Sequence, residues 1–453
     1  MFNLAIIGGG PAGYTAAAEA SEAGMKVVLF ERDTLGGTCL NVGCIPTKTL
    51  LYSAKQYFNA TNASKYGVSA DNVSFDYQKM QQRKQKVVRK LVAGVRQKLR
   101  NGNCTVVAGE ASVLSRTDEK VVIECNGEQY EAENLMICTG SQNFVPPIPG
   151  VKDNPYVWNS TDALDSKELP ADILIVGGGV IGMEFATLYH ELGVNVTDVE
   201  AMPSVLPNLD KDCVGVLLEK YRKLGVRILT STKVKSLEEN RVIIQTEEGE
   251  ETLTADKVLI CVGRRANLAG LEALQGLEIE RGAVKVNDFM QTNLRNVYAA
   301  GDVTGKIMLA HVASRQAEVA VGRMLKQIPL QRIAYNAIPS VVYTNPEIAS
   351  VGLTEADLTG AECVLPIEYE AKVLPMAFSG RFVAENEGEN GLCKVIIDKK
   401  NQTLLGVHMV GNPCSEFVAA ASFAVRMGYT VSEFKQVVFP HPTVSEILRE
   451  TVI

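Results

Sequence analysis

The sequence predicts an α/β protein built from two Rossmann-like dinucleotide-binding domains and a C-terminal α+β domain. Three observations carry this. A short apolar strand runs into a glycine-rich turn at Asn3–Gly13. The same pattern returns at Asp172–Gly182, with Gly177 following Gly8 by 169 residues. From Ile338 onward the texture changes to strand patterns at Ser340–Tyr343, Leu392–Ile397 and Leu404–Val410, and helix patterns at Ser415–Met427 and Val444–Thr451. A length of 453 residues suits about three domains.

In the first unit, Asn3–Ile7 leads into Gly8, Gly10 and Gly13 at G-x-G-x-x-G spacing. A small-residue helix follows to Ala23, then a strand Lys26–Phe30 that ends at Glu31. Glycines permit a tight turn and close approach of a pyrophosphate, the helix N-terminus favours its charge, and an acid about 20 residues on can hold ribose hydroxyls. Its N-terminal position, leading into a cysteine pair, favours FAD over NAD. Residues 75–101 read as a long helix with a solvated, cationic face, and residues 104–136 as a small hairpin or meander. Leu135–Ser141 reads as a buried strand ending in a polar turn, before a proline-rich linker at Pro146–Gly150.

The second unit repeats every part: strand Asp172–Val176, glycines Gly177, Gly179 and Gly182, a helix to about Leu192, and strand Asn195–Val199 closing on Glu200. It implies a second nucleotide, the other reading being an inactive duplicate. A carboxylate at Glu200 repels a 2′-phosphate, and Lys211 is the one basic residue between Glu200 and Asp212, so NAD(H) is favoured over NADP(H). Lys257–Arg265 closes this unit. Asn296–Asp302 is a short strand ending in Gly-Asp, where Asp302 is a polyol acceptor or a solvent-facing turn residue. Residues 310–326 read as a helix.

Between the units stands Gly36-Gly37-Thr38-Cys39-Leu40-Asn41-Val42-Gly43-Cys44-Ile45-Pro46-Thr47-Lys48. Cysteines five apart on a regular helix lie too far apart to bond. If Cys39 and Cys44 bond, the backbone between them is distorted, as Gly43 allows, and the short ring is readily reduced. Two ordinary buried thiols are the other reading. Near the end, His441 lies between two prolines with Glu446 one helical turn on, positioned to bond a ring nitrogen. A partly buried structural histidine is the alternative.

The net charge of −7 leaves no basic patch for nucleic acid or an anionic membrane. No apolar run reaches the ~18 residues of a membrane span. Met1–Gly10 lacks a cationic start and a cleavage site, and reads as a strand. Of ten cysteines only Cys39 and Cys44 are close in sequence, which points to a reducing compartment, hence the cytoplasm.

Taken together, Gly-Gly-Thr-Cys-x4-Cys-x-Pro-x-Lys, two glycine fingerprints, the Ala-Gly-Asp turn and the terminal His-Pro-Thr-x-Ser-Glu resemble the flavin-dependent pyridine nucleotide–disulfide oxidoreductases over the whole chain, and within them the dihydrolipoyl dehydrogenases. The resemblance implies an FAD domain at 1–150 and 267–333, an NAD domain inserted at 151–266, and an interface domain at 334–453 that makes a homodimer. It implies a redox disulfide in which Cys44 faces the flavin and Cys39 exchanges with substrate, Lys48 beside the flavin with Glu184 as its partner, and His441, oriented by Glu446, serving the other subunit's cysteines. Matching FAD positions are Gly8, Gly10, Gly13, Glu31, Gly37, Thr38, Lys48, Ala111, Thr139, Gly140, Ser141, Asp302 and Ala310. For NAD they are Gly177, Gly179, Gly182, Glu200, Val234 and Gly263. A lipoyl-bearing protein of a 2-oxo acid dehydrogenase or glycine-cleavage-type complex is the implied partner. Phe439 departs from the pattern, standing where lipoyl dehydrogenases often carry a second histidine. Alternatives are a reductase of glutathione disulfide or a similar small disulfide, and a flavoprotein subunit with a mainly non-catalytic role. Absent paired C-terminal cysteines argue against mercuric reductase.

Overall fold

The computed structural model describes residues 1–327, 332–359 and 367–453. Strands Phe2–Ile7, Val27–Glu31 and Thr105–Ala108 run parallel, and Glu128–Ile137 joins the other side of Phe2–Ile7. Apolar side chains on both faces of Phe2–Ile7, with Leu4, Ala5 and Ile6 fully buried, put this strand at the centre. The small residues of helix Pro11–Glu22 let it pack close to the sheet and to helix Ala310–Met324.

The reading of 104–136 as one hairpin or meander holds from Ala111 onward and is corrected at its start. Thr105–Ala108 belongs to the parallel sheet, paired with Val27–Glu31. The meander is Ala111–Arg116, Val121–Cys125 and the start of Glu128–Ile137. That last strand is one continuous element: its first half pairs antiparallel in the meander, and its second half runs parallel to Phe2–Ile7 and to Val297–Ala299. Apolar alternation shows that a strand exists but not which neighbour it takes.

The second sheet is wholly parallel, in the order Arg227–Leu229, Asn195–Val199, Asp172–Val176, Lys257–Ile260, Val157–Trp158. A three-stranded antiparallel sheet spanning 233–254 stands apart from it. The chain leaves the first unit through Ser141–Asn143 and returns through Arg264–Ala266, and these two strands pair antiparallel. Helix Cys44–Thr61 packs on helix Val180–Glu191, so Leu50, Leu51 and Ala54 share a core with Met183, Phe185 and Ala186.

The C-terminal sheet is antiparallel, ordered Ser340–Val342, Ile348–Gly352, Leu404–Val410, Leu392–Asp398, Tyr369–Pro375. Helices Cys414–Met427 and Ile447–Val452 pack on it. The strands Tyr369–Pro375, half-buried and mixed in polarity, and Ile348–Gly352, only five residues long, were not singled out from the sequence. The long cationic helix is Tyr77–Asn101, capped by the Asp76 side chain, which accepts from the Lys79 N–H. Among the described residues no helix is long and apolar enough to cross a membrane.

Candidate redox and dinucleotide site

Both glycine turns make the same cradle. Gly8 has φ +103°, and a Cβ there would lie 2.2 Å from the Cys138 carbonyl oxygen; one on Gly13 would lie 1.8 Å from the Gly8 oxygen. The second cradle repeats this with Gly177 against Cys261 and Gly182 against Gly177. Only glycine lets the strand, turn and helix approach this closely. Helices Pro11–Glu22 and Val180–Glu191 start at the two cradles with no acid in their first turns, which leaves their N-termini free for an anionic ligand.

The acids behave alike too. Glu31 accepts from the Gly9 N–H at 2.7 Å and the Asp33 N–H at 2.8 Å. Glu200 accepts from the Gly178 and Met202 N–H groups, each at 2.7 Å. Each carboxylate therefore braces its glycine turn while retaining lone pairs for ribose hydroxyls. These features fit two dinucleotides.

One cavity of about 1710 Å³ joins the cradles. Gly8, Gly10, Glu31, Gly37, Thr38, Ala111, Thr139, Gly140, Ser141, Asp302 and Ala310 line one end, and Gly177, Gly179, Glu200, Val234 and Gly263 the other; Cys39, Cys44, Lys48 and Glu184 line it as well. Gly13 and Gly182 do not line it and serve packing. Lys233 enters the Glu200 end from strand Lys233–Glu238, since the Thr232 N–H donates to the Glu200 carbonyl at 3.0 Å. The sequence window from 200 to 212 misses this cation.

Helix Gly37–Asn41 stops and helix Cys44–Thr61 begins after Val42 and Gly43. This interruption brings Cys39 and Cys44 together. Gly43 is needed for close approach: a Cβ there would sit 2.9 Å from the Thr38 carbonyl oxygen. The two cysteines are free thiols in this structure, the reduced form of the expected disulfide. Cys39 donates to the Cys44 sulfur, which raises the Cys39 thiol well above its ordinary value and holds Cys44 down at about 7. Burial and Glu184 oppose the lowering at Cys44, and Lys48 assists it.

Lys48 Nζ donates to both Glu184 carboxylate oxygens, at 2.7 and 2.8 Å, and Glu184 is 3% exposed. The packing of helix Cys44–Thr61 on Val180–Glu191 places this pair. Ser141 Oγ donates to Asp302 at 2.5 Å and accepts from Arg264 Nε at 2.8 Å. Arg264 also reaches Asn143, the Ser141 carbonyl and Thr38 Oγ1, tying the second unit's exit to the turn before Cys39. Sequence reading passed over Arg264 and Tyr343; the paired arginines ending a buried strand were the one available signal.

His441 Nδ1 lies 2.9 Å from Glu446 Oε1, whose other oxygen accepts from the Thr443 N–H at 2.8 Å. That backbone bond first, and His441 second, hold the Glu446 carboxyl below its usual range. The pair does not line the cysteine cavity, and the His441 side chain is 80% exposed. Phe439 turns inward onto Phe434, with ring centroids 5.8 Å apart.

Residues 2–317 match the pyridine nucleotide-disulphide oxidoreductase family, and residues 338–452 match that family's dimerisation domain. The chain is 36% identical to a dihydrolipoyl dehydrogenase of Bacillus subtilis, covering 100% of this chain and 97% of that protein. It is 37% identical to one of Thermus scotoductus, covering 99% and 96%. Among solved structures it resembles LpdA of Mycobacterium tuberculosis, with a TM-score of 0.90, 26% identity and 99% of both chains covered. The HOCl-induced flavoprotein disulfide reductase RclA of Escherichia coli gives 0.85 and 30% identity, again over 99% of both chains. The chain therefore belongs to the pyridine nucleotide–disulphide oxidoreductase family, as a flavin-dependent enzyme that uses FAD and NAD.

Proposed function

We propose that this enzyme oxidises protein-bound dihydrolipoamide with NAD+, as a homodimer. The observation that carries the reading is the Cys39/Cys44 dithiol, with its lowered Cys44, in one cavity with Lys48–Glu184 and both glycine cradles. Residues 1–150 and 267–333 form the FAD domain, 151–266 the NAD domain and 334–453 the interface domain. The return of Val297–Ala299 to the first sheet supports this division.

In the reaction, His441 Nε2 takes the proton from one dihydrolipoamide thiol, because Glu446 engages Nδ1 and fixes that tautomer. The new thiolate attacks Cys39 Sγ of the oxidised pair, the Cys39–Cys44 bond breaks, and Cys44 leaves as a thiolate. The second substrate thiol then attacks the mixed disulfide, closing the lipoamide ring, and its proton passes to the departing Cys39 sulfur, which is released as a thiol. Bound FAD supplies the two-electron acceptor for Cys44 and the hydride donor for NAD+. Lys48 sets a positive charge beside Cys44. Exposure of His441, away from its own chain's cysteines, supports a site completed by the partner subunit.

A lipoyl-bearing protein of a 2-oxo acid dehydrogenase or glycine-cleavage-type complex is the partner this chemistry suits. Steady-state turnover tests the reading. Dihydrolipoamide with NAD+ should turn over, and glutathione disulfide with NADPH should not; the reverse result would overturn it.

A further inference from the structure

Tyr343 reaches the Lys48–Glu184 pair from the C-terminal region, directly after strand Ser340–Val342. Lys48 Nζ stands 4.7 Å from the Tyr343 ring centroid. The Tyr343 backbone N–H donates to Glu184 Oε1 at 3.1 Å, and the residue lines the same cavity as Cys44 and Lys48. Lys48 is thus held by a carboxylate and by an aromatic face. A lysine stem is flexible and its ammonium is a point charge, so two holds fix it far better than one. Burial first, and then the acidic groups around Tyr343 (Glu347, Glu184, Glu416 and Cys44), push its phenol pKa up and keep the ring a neutral π-face.

We propose that Tyr343 is a positioning residue for Lys48: its ring holds the ammonium beside Cys44, so that the C-terminal domain sets how readily the thiolate forms. This rests on the roles given above to Lys48 and Cys44, and not on the identity of the substrate.

The test compares Y343F and Y343L holoenzymes after reduction and removal of reductant. The readout is the pH dependence of Cys44 alkylation by iodoacetamide, followed by peptide mass spectrometry. Y343F keeps the ring and should titrate as wild type. Y343L should shift the midpoint upward by about half a pH unit. Y343M, bulky but ringless, serves in its place if Y343L does not fold. On a K48M background the Y343L change should add no further shift. A ringless variant that titrates as wild type, a Y343F that shifts as far as Y343L, or additive shifts would each overturn the proposal. Because alkylation needs no dihydrolipoamide, failure of the substrate assignment leaves this result readable.

Discussion

In the monothiolate Cys44 and Cys39 share one proton, and their surroundings decide which sulfur keeps it. Donation from Cys39 and the nearby Lys48 favour the thiolate at Cys44, while burial and Glu184 resist it. Since the Cys44 thiol is lowered to about 7, the thiolate fraction should rise as pH passes through neutrality. Alkylation of reduced protein should therefore accelerate between about pH 6 and 8 and level off above; a midpoint near the free-thiol value of about 8.5 would contradict this. Replacing His441 with Gln removes the base proposed above and leaves the residues that line the cysteine cavity unchanged. It should cut dithiol turnover by roughly 10²–10⁴ and spare NADH-dependent reduction of a quinone. These residues were legible because their chemistry needs particular types at short spacing. Arg264 and Tyr343 were not, because they act on partners far away in sequence: Arg264 meets Thr38 across 226 positions, and the Tyr343 N–H meets Glu184 across 159.

Among the elements, strand Asn195–Val199 carries an anomaly. Asp198 is fully buried in a parallel strand with neither carboxylate oxygen hydrogen-bonded, and burial, then Glu200, raise its carboxyl to about 8. The folded chain thus holds a proton that the unfolded chain releases above its ordinary value of 3.8. Stability should be unaffected by this group below that value and fall as pH rises toward 8. Asp198→Val should remove that slope and raise the melting temperature at neutral pH, with roughly 4 kcal/mol as the upper bound. Equal melting temperatures for both proteins from pH 5 to 8 would refute it. An acid inside a strand pattern is visible in sequence; that no partner meets it is visible only once the helices are packed. The strand and helix of each cradle were legible because each carries its own periodicity and turn chemistry. The parallel placement of Thr105–Ala108 was not, because strand pairing is decided by neighbours distant in the chain.

For the whole molecule, the separation of His441–Glu446 from the cysteine cavity predicts complementation between subunits. Co-expressed C39S and H441Q chains should form heterodimers with one intact site, and so recover activity that neither homodimer has; absence of rescue in isolated heterodimers would place the base within its own chain. A different consequence lies in the ribbon Ser141–Asn143/Arg264–Ala266. The chain departs and comes back at the same spot, with both crossings zipped together. To the first sheet, residues 144–263 are then a large loop with adjacent ends, and closing such a loop grows costly only logarithmically with its length. A foreign gene segment could enter at this point without tearing the sheet around it. By the same reasoning, a chain in which residues 144–263 are replaced by a tight turn should still assemble the first sheet and its glycine cradle, and circular dichroism with flavin retention would record whether that sheet stands without the segment looped out of it.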